Sequence, residues 1–222
     1  MKRNKKTKRW KRAVLCMITA LAAAGTIPAG NGIVSAQWSE EPAETADFPG
    51  SIRDESLEQQ IGMYLEAVAE GDADRARALR GMENKVTQTQ EAVCFRHGLR
   101  GFDDVKTVIY PLGEDRLVFV SYDMVIDGLE PALPGLVTWL AEQDGQGGWI
   151  LLTDNASPSK EQQAQIRARL ETDEIGGWFD EINESFMEIV WADADVYAWL
   201  QAVSDDSKSD EINQTGYRKE TP

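Results

Sequence analysis

The chain has 222 residues, of which 23 are basic and 38 are acidic, so its formal net charge at pH 7 is −15. Nucleic-acid binding requires a basic patch that neutralises phosphates, and this charge balance argues against that class of function. The length suits one domain with terminal extensions.

The first 36 residues predict a secretory signal peptide. Residues 1–12 contain eight Lys or Arg and no acidic residue, and an apolar run follows at 13–25. Compact side chains at 34–36 match a signal-peptidase site, so we expect cleavage between Ala36 and Gln37. The alternative is an N-terminal membrane anchor, but the apolar run is shorter than the about 20 residues that a spanning helix needs.

Cleavage would leave 186 residues with 15 basic and 38 acidic side chains, a net charge of −23. Such a charge disfavours adhesion to anionic membranes and keeps an exported protein soluble. Cys94 would be the one remaining cysteine, which excludes an intramolecular disulfide, and its apolar neighbours favour a buried thiol. We therefore expect a secreted or extracytoplasmic protein, free or associated with the cell surface, without membrane contact after cleavage.

Residues 37–53 are acidic and contain two prolines without a periodic apolar pattern, which predicts a flexible acidic linker. The folded domain is predicted for residues 54–203. Apolar residues three and four apart indicate a first helix that starts near Asp54 or Ser56. A second, short helix capped by Asp72 should end at Gly81.

Four segments rich in β-branched and aromatic residues predict strands at 105–112, 116–126, 136–142 and 149–153. A proline-containing loop separates the second strand from the third, and a glycine-rich turn joins the last two as a hairpin. Strands that follow one another in this way predict a single antiparallel sheet.

The strand at 116–126 has one wholly apolar face, formed by every second residue from Val118 to Ile126, and this face should point into the core. The opposite face carries Ser121 and Asp123, which we expect to lie near solvent or in a groove because an unpaired buried carboxylate is costly. Leu117 and Phe119 on that same face also need cover, which the C-terminal helices can provide.

The last third of the chain is predicted to be helical. Ser157 and Pro158 suggest a helix with proline in its first turn, running to about residue 170. A second helix follows around 178–190, and Asp193 is expected to cap a last short helix. The polar residues 204–222 predict a disordered tail. The predicted fold class is α+β: N-terminal helices packed on a curved antiparallel sheet of about four strands, with additional C-terminal helices.

The run YLEAVAEGDADRARAL at 64–79 resembles the opening helices of nuclear transport factor two-like domains, which have a cystatin-like cone. Segments 120–140 and 178–200 are similar to exported proteins of Firmicutes. The resemblance covers about residues 54–203 and implies a cone-shaped fold. Relatives of this fold include ketosteroid isomerases, polyketide cyclases, epoxide hydrolases and non-catalytic binding modules, so the fold implies little about function. The long helical C-terminal third departs from the common plan and is expected to cover the mouth of the cone.

No catalytic, cofactor-binding or metal-binding residue is predicted. His97 is the only histidine, so a zinc site of the usual type is excluded, and a solvated loop position is expected for it. Isomerase-like chemistry requires inward-facing Asp and Tyr groups, whereas Tyr122 and Asp123 are neighbours on one strand and point to opposite faces. The paired aspartates at 103–104 and 205–206 do not match a calcium-binding loop.

These observations favour an exported, non-enzymatic domain that binds a protein or cell-envelope partner and needs no cofactor. The alternative is a small-molecule-binding protein or enzyme that uses the interior of the cone. Ser121 and Asp123 are the candidate groove residues. Five tryptophans lie in predicted helices and strands, namely Trp139, Trp149, Trp178, Trp191 and Trp199. Core packing is expected for them, and the alternative is that some of them line an aromatic pocket.

Overall fold

The computed structural model describes residues 44–45, 48–81, 94–152 and 158–216. The predicted signal peptide, its cleavage site at Ala36 and Gln37, and residues 217–222 lie outside these ranges. Within the described ranges, no helix has both the length and the hydropathy needed to cross a membrane.

Two helices open the domain, α1 at Glu55–Ala69 and α2 at Ala73–Leu79. The side chain of Asp54 accepts a hydrogen bond from the backbone N–H of Leu57 at 3.2 Å, and Asp72 caps α2 in the same way. Each carboxylate satisfies a backbone donor that has no partner within its helix. Both helices begin where the sequence predicts.

The sheet consists of five strands in the order β1-β2-β3-β4-β5. Their bounds are Glu44–Thr45, Leu99–Leu112, Asp115–Ile126, Leu133–Gln143 and Trp149–Leu152. Strands β2 to β5 form an antiparallel meander, and the two-residue β1 pairs parallel to β2 at one edge. The predicted α+β class with four antiparallel strands is confirmed.

Two strands begin earlier than predicted. Strand β2 starts at Leu99 rather than at residue 105, because an irregularity near Asp104 interrupts the apolar pattern without ending the strand. Strand β4 starts at Leu133 and includes Pro134. Strand β5 pairs only with residues 140–143, so the first part of β4 is a sheet edge. Proline is tolerated at an edge because its missing N–H has no partner to lose.

Helices α3, α4 and α5 follow the sheet, at Lys160–Leu170, Asp173–Ala192 and Ala194–Gly216. Helix α3 begins later than predicted: Ser159 caps it through a capping box with Gln162, so Pro158 precedes the cap, while Ser157 lies outside the described residues. Asp193 caps α5 as expected, by accepting from the N–H of Val196 at 3.2 Å.

Both predicted terminal extensions are partly ordered. The linker prediction for 37–53 is wrong at its end, where the ring of Phe48 lies 5.3 Å from that of Trp178 and Ile52 bonds through its N–H to the backbone of Ile109. Partial burial of the apolar side chains of Phe48 and Ile52 is favourable, although the neighbouring sequence is acidic. The tail prediction for 204–222 is wrong up to Gly216, since α5 continues that far. Asp206 holds it through an ion pair with Arg96 at 3.0 Å.

The sheet separates two apolar clusters. On its inner face, which carries Val118 and Val120, the buried side chains of α1 and α5 pack together with Cys94. On its outer face, which carries Leu117 and Phe119, helix α4 supplies Ile175 and Phe179. The alternation predicted for β3 is confirmed, and the C-terminal helices cover the outer face as expected.

Candidate binding cleft

A cleft opens between the outer face of the sheet and helix α4, with a volume of about 280 Å³. Both predicted groove residues, Ser121 and Asp123, line it. The complete lining comprises carboxylates, one lysine, two serines and apolar side chains, namely Asp104, Lys106, Ser121, Tyr122, Asp123, Pro134, Trp178, Glu181, Ile182 and Ser185.

A β-bulge in β2 brings its residues to the cleft. Two residues of β2, Asp104 and Val105, lie opposite the single residue Tyr122 of β3. Asp104 has a φ of 46°, the one positive φ among the non-glycine residues that the structure describes. Aspartate adopts this left-handed conformation more readily than most residues. The bulge places Asp104 and Lys106 at the cleft, where their charged groups lie 2.9 Å apart.

Helix α4 forms the other wall. Trp178, Glu181, Ile182 and Ser185 are spaced three, four and seven residues apart, so they share one helical face. The ring of Phe179, one residue along, packs at 6.0 Å against Phe119 and fixes the helix to the sheet. Trp178 packs against the outer cluster, as expected, and also lines the cleft, which was the alternative for the tryptophans, whereas Glu181, Ile182 and Ser185 were not predicted to line a site. The polar residues at helical spacing from Trp178 were the available signal.

The cleft has excess negative charge. Asp104, Asp123 and Glu181 face one cation, Lys106. Burial raises the pKa of Asp123, the negative charges of Asp104 and Asp103 raise it further, and Lys106 partly opposes them. Among the described residues, Asp123 and Glu181 make no hydrogen bond or ion pair. Their oxygens are therefore available to a ligand.

The hydroxyl of Ser121 is another polar group of the cleft without a hydrogen-bond partner in the described structure. The residue is only 6% exposed, it borders the cleft, and its side chain has no hydrogen-bond partner among the residues that the structure describes. Its oxygen is not fully buried, so it keeps contact with solvent in the cleft and is also open to a hydrogen bond with a ligand.

His97 does not belong to the cleft. Its Nε2 atom lies 3.2 Å from Oδ2 of Asp206, and its backbone oxygen accepts a hydrogen bond from the Trp199 ring at 2.6 Å. His97 lies in a turn, as expected, but its side chain is not simply solvated, because it contacts Asp206 of α5. Within the described ranges, no three histidine, cysteine or acidic side chains are placed to hold a metal ion.

The inner face of the sheet offers fewer polar groups. The buried polar or charged side chains of the described residues are Arg80, Thr107 and Ser121, and none of them is a carboxylate. The ring of Tyr122 packs on Phe102 at 4.9 Å and against the inner cluster, so it points away from Asp123 as predicted, although both residues border the cleft. The described part of the interior therefore lacks the carboxyl pair that isomerase-like chemistry requires.

Comparisons with known proteins add no assignment. No family model, curated protein or solved structure matches the chain. Any function must therefore be argued from the cleft itself.

Proposed function

We propose that this chain is an exported, non-enzymatic domain that binds a protein or cell-envelope partner, and that the cleft receives a cationic group of that partner. The observation that carries the proposal is the pair of unpaired carboxylates, Asp123 and Glu181, beside the unpartnered hydroxyl of Ser121. Cationic donors form strong charge-assisted hydrogen bonds with such acceptors. Support for export is the three-part pattern of residues 1–36.

The size of the cleft favours a single side-chain head group. Its volume of about 280 Å³ lies at the lower limit of ligand pockets. A lysine ammonium carries three donors and an arginine guanidinium five, and the acceptors here are two carboxylates and two hydroxyls. Trp178 in the lining adds an aromatic ring, and such rings attract cations through their faces.

Binding is better supported than catalysis. A nucleophile needs an adjacent base, and an acid–base pair needs both members in reach of the reacting group. Ser121 makes no hydrogen bond to a base among the described residues, and the single histidine is tied to Asp206 away from the cleft. The likeness to nuclear transport factor two-like binding modules remains part of the proposal, supported by the order of two helices followed by a meander sheet.

The experiment titrates purified protein with Nα-acetyl-lysine methylamide or its arginine counterpart, using calorimetry. The norleucine analogue, which lacks the charge, is the ligand control. We expect the cationic compounds to bind, and Asp123→Asn or Glu181→Gln to weaken binding about tenfold, since each removes a charge-assisted hydrogen bond.

Glu114→Gln is the matched protein control, because Glu114 is an exposed carboxylate in the distant β2–β3 turn. It should leave the affinity unchanged. Equal binding of the lysine and norleucine compounds, or full affinity in Asp123→Asn, would contradict the proposal.

A second candidate is a small-molecule ligand in the interior of the cone. The observation in its favour is that Thr107 Oγ1 and Trp139 Nε1 are buried without a hydrogen-bond partner in the described structure. Thr107 pairs with Val120 and Trp139 with Val118, which places both on the inner face. Native mass spectrometry of protein purified from its host would test this candidate: a bound small molecule that is lost in Thr107→Val supports it.

A further inference from the structure

One face of α4 carries a stripe of exposed residues, Glu181, Glu184, Glu188 and Trp191, which we call the α4 stripe. Its members are three, seven and ten residues from the first, so they lie along a single side of the helix. Trp191 is 72% exposed, more than any other large apolar side chain in the described structure. The stripe starts at the cleft, since Glu181 is a cleft residue.

The negative charges of the α4 stripe are not balanced by nearby cations among the described residues. Helix α4 contains no lysine or arginine, and the three glutamates form no ion pair with any described residue. Like charges three and four residues apart destabilise a helix. An isolated row of glutamates is an ordinary solvated surface, but this row leads into a cleft lined by Ser121, which is 6% exposed and whose side chain has no hydrogen-bond partner among the described residues. Ser121 points to a ligand at that end independently of the glutamates.

The length of the stripe matches a short extended peptide. Ten residues of helix span about 15 Å, at about 1.5 Å per residue. An extended peptide advances about 3.3 Å per residue and places every second side chain on the same side. With its first side chain in the cleft, its third therefore reaches the region between Glu184 and Glu188, and its fifth reaches Trp191.

We propose that the α4 stripe is the docking track for an extended basic segment of the protein partner, of the form basic-x-basic-x-basic. This proposal rests on the proposed function, because the first basic side chain enters the cleft. The second basic side chain pairs with Glu184 and Glu188, and the third lies over the ring of Trp191, to which a guanidinium is well suited. Charge complementarity selects this occupant over an apolar or acidic one.

The test compares the acetylated and amidated peptide Lys-Ala-Lys-Ala-Arg with Nα-acetyl-lysine methylamide on the same protein. At low salt, we expect the peptide to bind about tenfold more tightly, since exposed ion pairs and a cation–aromatic contact each contribute modestly. The gain should disappear in the double variant Glu184→Gln/Glu188→Gln and shrink in Trp191→Ala. The double variant Glu161→Gln/Glu171→Gln removes the same charge from exposed positions in the first turn and at the C-cap of α3, and it should keep the gain.

The outcomes separate the two proposals. Binding of the single lysine compound without a gain for the peptide overturns the docking track and leaves the proposed function standing. A gain that survives both Glu184→Gln/Glu188→Gln and Trp191→Ala also overturns the track. Failure of both compounds to bind overturns the proposed function together with the track. The altered side chains are exposed, so circular dichroism of each variant should match the parent protein.

Discussion

Asp123 occupies a position where a negative charge is unfavourable. It is half-buried beside Asp103 and Asp104, and its pKa is raised first by burial and then by these neighbours. A carboxyl whose pKa is higher in the folded state than in the unfolded chain binds its proton more tightly when folded. Its contribution to stability is therefore present below the ordinary value of 3.8 and lost as the pH rises through the raised pKa.

We predict that Asp123→Asn raises the melting temperature at pH 7, because the variant removes a disfavoured charge. The difference from the parent protein should shrink as the pH falls towards 3.8, where the parent carboxyl becomes protonated. The difference in melting temperature is measured between pH 3.5 and pH 7.5 by thermal unfolding, with circular dichroism as the signal. A stabilisation that does not vary with pH, or a destabilised variant at pH 7, would contradict the argument.

The charge of Asp123 also governs ligand binding. A cation requires the ionised carboxylate, so the affinity for Nα-acetyl-lysine methylamide should fall as the pH is lowered through the raised pKa of Asp123. Calorimetric titrations at three pH values measure the decline. The same titrations on Asp123→Asn should show weaker binding and a flatter dependence on pH.

Gly135 leaves room for the ring of Tyr122. A methyl group on Gly135 would lie 2.4 Å from Cε2 of that ring, which itself packs on Phe102 at 4.9 Å. We expect Gly135→Ala to lower the free energy of unfolding by about 1–3 kcal/mol, as overpacking usually does. Gly101→Ala is the matched control in β2, where no atom lies within 4 Å of the added methyl group. Equal urea midpoints for the two variants would refute the prediction.

For individual residues, the alternation of apolar and polar side chains along β3 was enough to predict the orientation of Ser121 and Asp123, but not the site around them. A period of two along β3 assigns each residue to a face. It does not reveal that Glu181 and Ser185, about 60 residues later in the chain, form the opposite wall. That juxtaposition depends on Phe179 packing against Phe119, a tertiary contact with no local signal.

Side chains in the first half of helix α5 hold it to the rest of the domain. Val196 and Val203 are buried on the inner side of the sheet, and the Trp199 ring donates to the His97 backbone. We predict that Trp199→Phe destabilises the domain by about 1 kcal/mol through loss of this hydrogen bond. Hydrogen exchange should accelerate across 194–206.

Tyr197→Phe is the control for that variant, because Tyr197 is 55% exposed and its hydroxyl, within the described part of the chain, accepts a hydrogen bond only from Gln201 on the same helix. It should leave both exchange and stability unchanged. Faster exchange in both variants would mean that general fraying, and not the bond to His97, controls the helix.

Element boundaries were predictable where their signals are local. Asp54 and Asp72 cap their helices through residues three positions ahead, so the sequence window contains the whole interaction. The start of β2 was missed because the bulge at Asp104 breaks the alternation. The extension of α5 was missed because the ion pair between Asp206 and Arg96 joins segments more than 100 residues apart.

For the whole molecule, the strongest prediction from sequence concerns export. N-terminal sequencing or intact mass spectrometry of protein from its host should find a chain that begins at Gln37, since residues 34–36 fit a signal-peptidase site. Such a chain would carry a net charge of −23, so its association with a basic partner should weaken with added salt. A membrane fraction that retains Met1 would instead indicate an anchor.

Because apolar clusters cover both faces of β3, the strand should have an unusual profile in a saturation mutagenesis screen for folding. A strand with one solvent-exposed face tolerates polar residues at every second position. Here the five consecutive residues 117–121 are all buried, so intolerance to large polar residues should form an unbroken block. Tolerance should return between Tyr122 and Val125, where the burial becomes partial and the cleft opens, and be lost again at the buried Ile126. The point along β3 at which the block ends would mark the mouth of the cleft without any ligand.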